Sequence, residues 1–321
     1  MRTALITGGA GFVGSHLAER LVSNGYNVTV LDDLTTGSVK NLENILNNKN
    51  LKLYIGRAQD EDLLNRLVSE SDHVYHLASS VGVKMIMDEP IRTIHNIIDS
   101  TASVLKFASR YRKKVLITST SEVYGKSKDI PFNEGGDRIE GATTIHRWAY
   151  ASAKALDEFL ALAYFKTQAL PVTVVRLFNT VGPRQLSQYG MVIPKMVRSA
   201  IDHGVISVHG DGKQSRCFCH VADVVQALQL LMESDRANGE VVNVGSREEI
   251  CILDLANLIK EKTGGTATVR FVSYEEVFPG GGFEDMNRRV PDISKVSRLV
   301  GWEPKHTLNE IITDVIGQRS P

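Results

Sequence analysis

A tyrosine and a lysine four residues apart, in Tyr150-Ala151-Ser152-Ala153-Lys154, would share one face of a helix. An ammonium beside a phenol favours the phenolate, which makes the tyrosine a base able to work near neutrality. Upstream, a strand pattern at Lys114–Thr118 runs into Ser119-Thr120-Ser121-Glu122-Val123-Tyr124-Gly125. Strand ends of an open α/β sheet are where ligands bind. A hydroxyl there can hold a substrate alcohol while Tyr150 takes its proton and a nicotinamide takes hydride.

The hydride acceptor has its own signature. Gly8-Gly9-Ala10-Gly11-Phe12-Val13-Gly14 follows the first strand pattern directly and opens a helix. Gly8, Gly11 and Gly14 let the backbone turn tightly and approach a pyrophosphate, whose charge sits at the helix N-terminus with Phe12 and Val13 in its first turn. Asp32 closes the second strand, where a carboxylate meets a ribose diol and repels a 2′-phosphate, with Asp33 as the alternative bearer. The expected cofactor is therefore NAD.

The elements that must position these groups read as alternating strands and helices. Strand patterns fall at Thr3–Thr7, Asn27–Leu31, Leu51–Ile55, His73–His76, Lys114–Thr118 and Val172–Leu177, with amphipathic helices at Gly14–Ser23, Asp60–Ser69, Thr93–Tyr111 and Ala149–Thr167. This alternation predicts an α/β fold, a Rossmann-type doubly wound parallel sheet over residues 1–178. Residues 179–321, punctuated by Gly182-Pro183, Gly210-Asp211-Gly212 and Pro279-Gly280-Gly281-Gly282, predict a smaller C-terminal α/β substrate-binding domain, some of whose segments return to the first. The Pro-Gly-Gly-Gly run is expected to be a mobile loop, and the two halves to enclose a cleft.

Composition narrows the function classes. With 37 basic and 37 acidic residues the chain is formally neutral, which argues against nucleic acid as a partner. The three cysteines, Cys217, Cys219 and Cys251, form no disulfide or zinc-ligand pattern, so no metal is expected. No apolar run is long enough for a membrane span, and the strand pattern begins at once after Met1, so the expectation is a cytoplasmic protein.

Taken together, the glycine loop, Thr120-Ser121-Glu122-Val123-Tyr124-Gly125 and the Tyr150/Lys154 pair resemble the extended short-chain dehydrogenase/reductases that modify nucleotide sugars. Arg176-Leu177-Phe178-Asn179, Gly182-Pro183-Arg184, Gly210 to Arg216, His220 to Val224, Arg289-Val290-Pro291-Asp292 and Gly301-Trp302-Glu303-Pro304 carry the resemblance along the whole chain. It implies Thr120 as the substrate-binding hydroxyl, Tyr150 as the base, and Lys154 as its electrostatic partner and ribose contact. Leu77 and Ala78, after His76, match a signature beside the cofactor. Substrate contacts are implied for Ser121, Arg147, Asn179, Arg184, Lys213, Arg216, Phe283 and Arg289, and a homodimer through the helices at Thr93–Tyr111 and Ala149–Thr167. Two departures concern the cofactor: Arg57 stands where relatives carry Asp, and Ile97 where they carry Asn, with Asn96 adjacent.

The resemblance also orders the reactions. All begin by oxidising a sugar hydroxyl, usually at C4. Glu122, Arg147-Trp148-Ala149-Tyr150 and the run Gly282 to Asp292 look most like the UDP-glucuronate decarboxylase branch, where the residue matching Arg289 assists loss of carbon dioxide. Glu122 and Arg289 are accordingly expected to be catalytic, on a UDP-sugar substrate. Phe283, where those decarboxylases carry Tyr, and the short loop Gln185–Gly190 keep a nucleotide-sugar 4-epimerase as the alternative, followed by a 4,6-dehydratase. A non-catalytic NAD-binding regulator would typically lack the Tyr150/Lys154 pair that this chain retains.

Overall fold

The computed structural model describes residues 2–79, 89–187, 191–277, 284 and 286–318. The N-terminal strands and helices form as the periodicity predicts: β1 (Thr3–Thr7), α1 (Phe12–Ser23), β2 (Asn27–Asp32), β3 (Leu51–Ile55), α2 (Glu61–Ser69), β4 (His73–His76), α3 (Pro90–Arg110), β5 (Lys114–Thr120), α4 (Trp148–Gln168) and β6 (Val172–Leu177). One sheet of seven parallel strands runs β11-β6-β5-β4-β1-β2-β3. The order reverses between β1 and β4, and the carboxyl ends of strands beside such a switch point form the crevice where α/β sheets take ligands.

Both faces of the sheet are covered, which is why its central strands carry apolar residues towards both sides. Leu5, Val74, Val115, Ile117 and Val174 point to one side and pack on α2, α3 and α4. Their chain neighbours Ile6, Tyr75, Leu116 and Val175 point to the other, towards α1 and a helix from the second half.

That second half begins with β7 (Thr180–Val181), α5 (Val192–His203), β8 (Val205–His209), β9 (Ser215–Cys217) and β10 (Cys219–His220). Then α6 (Val221–Glu233) returns to pack on α1, and β11 (Val241–Val244) adds the seventh strand beside β6. The sequence patterns left β11 unmarked, because the four residues Val241-Val242-Asn243-Val244 are too few to separate a strand from any buried segment. The remaining elements, β12 (Glu249–Cys251), α7 (Ile252–Lys262), β13 (Thr268–Val272), α8 (Tyr274–Val277), β14 (Arg288–Arg289), α9 (Ser294–Val300) and α10 (Leu308–Gly317), complete the chain. A separate core of Ile193, Ile206, Leu255, Ile259 and Ile311 holds α5, β8, α7 and α10 together. Among the described residues no helix is long and apolar enough to cross a membrane. The Pro279–Gly282 run lies outside the described residues.

His76 closes β4 fully buried, its Nδ1 2.7 Å from Thr7 Oγ1 and its Nε2 3.2 Å from Thr101 Oγ1. It is a core histidine held by two hydroxyls. Burial, reinforced by the Lys154 charge, pushes its pKa down to about 3. The fold therefore favours the neutral ring: the stabilisation is complete above pH 6.5 and is lost as pH falls from there towards 3. Between about pH 7 and pH 5 the loss should be roughly 2 kcal/mol, and His76→Gln should flatten that slope in chemical denaturation.

Candidate active site

The glycine loop joins β1 to α1. A Cβ on Gly14 would lie 2.1 Å from the Gly8 carbonyl oxygen, and one on Gly8, whose φ is +72°, would lie 2.7 Å from the Ala78 amide nitrogen. The turn after β1 is thus packed on the turn after β4, with backbone as the obstructing surface. Gly11 caps α1 without any side-chain hydrogen bond, so the first-turn amides of Phe12 and Val13 are left to an outside acceptor. Asp32 accepts from the Ala10 amide at 2.9 Å and the Leu34 amide at 2.8 Å, which ties the end of β2 to the loop. Burial raises its pKa, and the amide bonds work against that.

Of the two candidate aspartates, Asp32 is buried against the loop, whereas exposed Asp33 lies 3.6 Å from Arg57. Ile97 is core, and Asn96 instead meets Gln59, at 3.4 Å, in the segment after β3. A glycine cradle that any Cβ would fill, an uncapped helix terminus and a carboxylate at the end of β2 fit a dinucleotide. Gly14→Ala should weaken NAD binding at least about tenfold, because the obstructing atom is backbone and cannot swing aside; calorimetric titration of the folded variant checks this.

Three segments converge at the other end of the crevice. Thr120, last in β5, caps the 3-10 turn Ser121–Tyr124 by accepting from the Glu122 amide at 3.2 Å. Its hydroxyl also shares a hydrogen bond with half-buried Tyr150, in the first turn of α4. After β6, Asn179 donates to the Cys217 carbonyl at 2.8 Å. From the second half, β14 pairs with β9 in the register Arg289 to Arg216, setting two arginines abreast.

Like charges held side by side need a counter-charge, and Glu122 supplies one. Its Oε1 lies 2.6 Å from Arg289 Nη2 and its Oε2 2.5 Å from Arg147 Nη1, at the N-terminus of α4. Burial acts to raise the Glu122 carboxyl, but Arg289 and Arg147 outweigh it and hold the group at about 2. Arg289 also reaches Ser121 Oγ at 3.4 Å and Asn179 Oδ1 at 3.3 Å. The Arg147 guanidinium lies over Trp148, whose Nε1 donates to Glu284. Thr120, Ser121, Glu122, Arg147, Tyr150, Asn179, Arg216 and Arg289 therefore form one cluster.

Some sequence candidates lie elsewhere. Arg184 braces α1, with Nη1 3.1 Å from Ser15 Oγ and Nη2 2.6 Å from Glu19. Lys213 is exposed beside Asp211 in the turn after β8. Phe283 lies outside the described residues. Lys154 is buried as the helical face requires, and its ion-pair partner is Asp157, at 2.8 Å. The spacing rule singled out i and i+4 but not the carboxylate three residues further on. Burial, then the Glu122 charge, raises the Tyr150 phenol, so the protein by itself keeps that proton at neutral pH.

Comparison with known proteins places this geometry. The family profile described as GDP-mannose 4,6 dehydratase matches residues 5–315. The chain is 40% identical over 316 residues to UDP-N-acetyl-alpha-D-glucosaminuronate decarboxylase of Bacillus cytotoxicus, covering 98% of this chain and 97% of the relative. It is 36% identical to UDP-glucuronic acid decarboxylase 1 of Xenopus tropicalis, over 97% of this chain and 70% of the relative. Among solved structures, UDP-glucose 4-epimerase of Thermotoga maritima with UDP-glucose superposes with a TM-score of 0.87 at 30% identity, over 98% of this chain and 97% of that one. UDP-glucuronic acid 4-epimerase of Bacillus cereus, in complex with UDP-glucuronic acid and NAD, gives 0.88 at 26% identity over 98% of both chains.

Proposed function

Since this chain belongs to the GDP-mannose 4,6-dehydratase family of extended short-chain dehydrogenase/reductases, we propose that it is an NAD-dependent decarboxylase of a UDP-linked hexuronate, with UDP-glucuronate as substrate. The observation that carries this reading is the clamp on Arg289. Glu122 fixes its guanidinium between Ser121 and Asn179, close enough to Tyr150 for its charge to act on the phenol. A planar fork suits a sugar carboxylate.

NAD, when bound in the glycine cradle, supplies a two-electron acceptor for the C4 hydrogen. The protein's own groups do the rest. Thr120 holds the C4 hydroxyl and Tyr150 takes its proton as the C–H bond breaks. The resulting C4 ketone stands β to the carboxylate, so the C5–carboxylate bond can break with its electron pair moving onto the C4 oxygen. Thr120 and the now protonated Tyr150 donate to that oxygen as its charge grows. Arg289 orients the carboxylate, and its pairing with Glu122 moderates its hold on the leaving group.

A 4,6-dehydratase would need a carboxylate near C5 to take the C5 proton, and both oxygens of Glu122 are instead engaged by Arg289 and Arg147. The 40% identity to a UDP-N-acetylglucosaminuronate decarboxylase favours a second reading, in which the sugar carries an N-acetyl group at C2. Exposed Phe159 and Leu156 on α4 support a homodimer through α3 and α4. Three reduced cysteines support a cytoplasmic setting.

The deciding experiment incubates the protein with NAD and, separately, UDP-glucuronate and UDP-N-acetylglucosaminuronate, reading products by mass spectrometry and proton NMR. Loss of carbon dioxide from either is the expected result. An unchanged mass with new epimer signals would replace the decarboxylase with a 4-epimerase.

A further inference from the structure

The reading above gives Lys154 a role but none to Asp157, the carboxylate of the buried ion pair that it forms. The Lys154 side chain is 3% exposed and that of Asp157 0%, with Nζ and Oδ2 2.8 Å apart. On α4 the positions i, i+4 and i+7 place Tyr150, Lys154 and Asp157 along a single stripe. From α3 the Thr101 hydroxyl lies against the carboxylate, and it also bonds His76 of β4. Glu158, the other acid beside Asp157, is engaged by Arg176 at 2.7 and 3.0 Å. Tyr150 itself is faced by Glu122 and Arg289 from the loop after β5 and from β14. Lys154 is thus the cation paired to Asp157.

Local structure does not call for this carboxylate. Aspartate is a poor helix former, and burying an ion pair is costly. Its chemical consequence lies in the lysine: a buried ammonium without a counter-charge gives up its proton within the neutral range. We propose that Asp157 is a positioning residue, whose counter-charge fixes the Lys154 ammonium on the helix face that it shares with Tyr150. The inference rests on the reading above in which Lys154 meets bound NAD. The same carboxylate offsets part of the ammonium's pull on Tyr150, so the pair trades field strength for a fixed charge.

The test is NAD binding by calorimetry from about pH 6 to about pH 9, on the native protein, Asp157→Asn, Lys154→Met and the double variant. Native affinity should be flat over that range. Asp157→Asn should bind like native at the acid end and about tenfold more weakly at the alkaline end, as the uncompensated lysine loses its proton. Its rate of C4 oxidation should show a descending alkaline limb that the native protein lacks. In the Lys154→Met background, Asp157→Asn should cost no further affinity and should raise Tm, because it discharges a carboxylate left alone in the core.

Parallel pH profiles for native and Asp157→Asn, or additive losses in the double variant, would overturn the inference. The double variant keeps the test readable if Asp157→Asn alone folds poorly, since it buries no charge at this position. A native protein that binds no NAD would defeat the cofactor site, and this inference with it.

Discussion

Tyr150→Phe should lower C4 oxidation by about 10²- to 10⁴-fold, the usual worth of a positioned proton acceptor, while leaving NAD affinity within about twofold. The phenol hydroxyl meets Thr120, and its loss opens no cavity, so the fold should give up only about 1 kcal/mol. The pH dependence separates this role from a structural one. Burial and the Glu122 charge both raise the Tyr150 phenol, so the base form accumulates as pH rises and the native rate should climb with it. In the phenylalanine variant that ascending limb should vanish. The measurement is absorbance at the nicotinamide band in a single turnover over a range of pH. Comparable rates in the two proteins would remove Tyr150 from the reaction.

Arg289→Ala should separate the two halves of the reaction. Oxidation at C4 depends on Thr120 and Tyr150, neither of which Arg289 holds directly, so it should fall modestly. Decarboxylation should fall at least about tenfold more, because the carboxylate loses the fork that turns its bond to C5 towards the ketone. The truncation also leaves Glu122 with Arg147 as its nearest cation. Breaking a pair in which the arginine is 9% and the glutamate 16% exposed should cost stability, up to about 3 kcal/mol after allowance for that exposure. Release of labelled carbon dioxide, set against the nicotinamide signal of the same sample, reads the ratio. Equal losses in both steps would assign Arg289 to binding alone. Arg289→Lys, which keeps a charge but not the fork, should recover binding better than decarboxylation.

Much of this protein could be read from its residues in order. The N-terminal strands appear within two residues of their expected bounds, because strands of a sheet covered on both faces are rich in apolar residues at successive positions. The glycine loop and Asp32 were legible for a similar reason: close backbone approach demands glycine, and the carboxylate follows at the end of the next strand. The Tyr150/Lys154 face followed from helical period alone.

What the linear chain could not reveal were contacts set by pairing between distant segments. Nothing near Glu122 in sequence announces that Arg147 and Arg289 will close on it; the register of β14 on β9 and the N-terminus of α4 decide that. Nor does any pattern distinguish Arg184, which braces α1, from the arginines that reach the crevice. The exposed or buried fate of a charged residue depends on which other charges the fold brings within a few ångströms, since only a paired charge can leave water. Local and periodic signals carried six strands of the sheet, the glycine loop and the tyrosine–lysine face, whereas β11 joins that sheet without such a signal. Only the tertiary structure placed Glu122 between two arginines, because those contacts join segments far apart in the chain and leave no period in it.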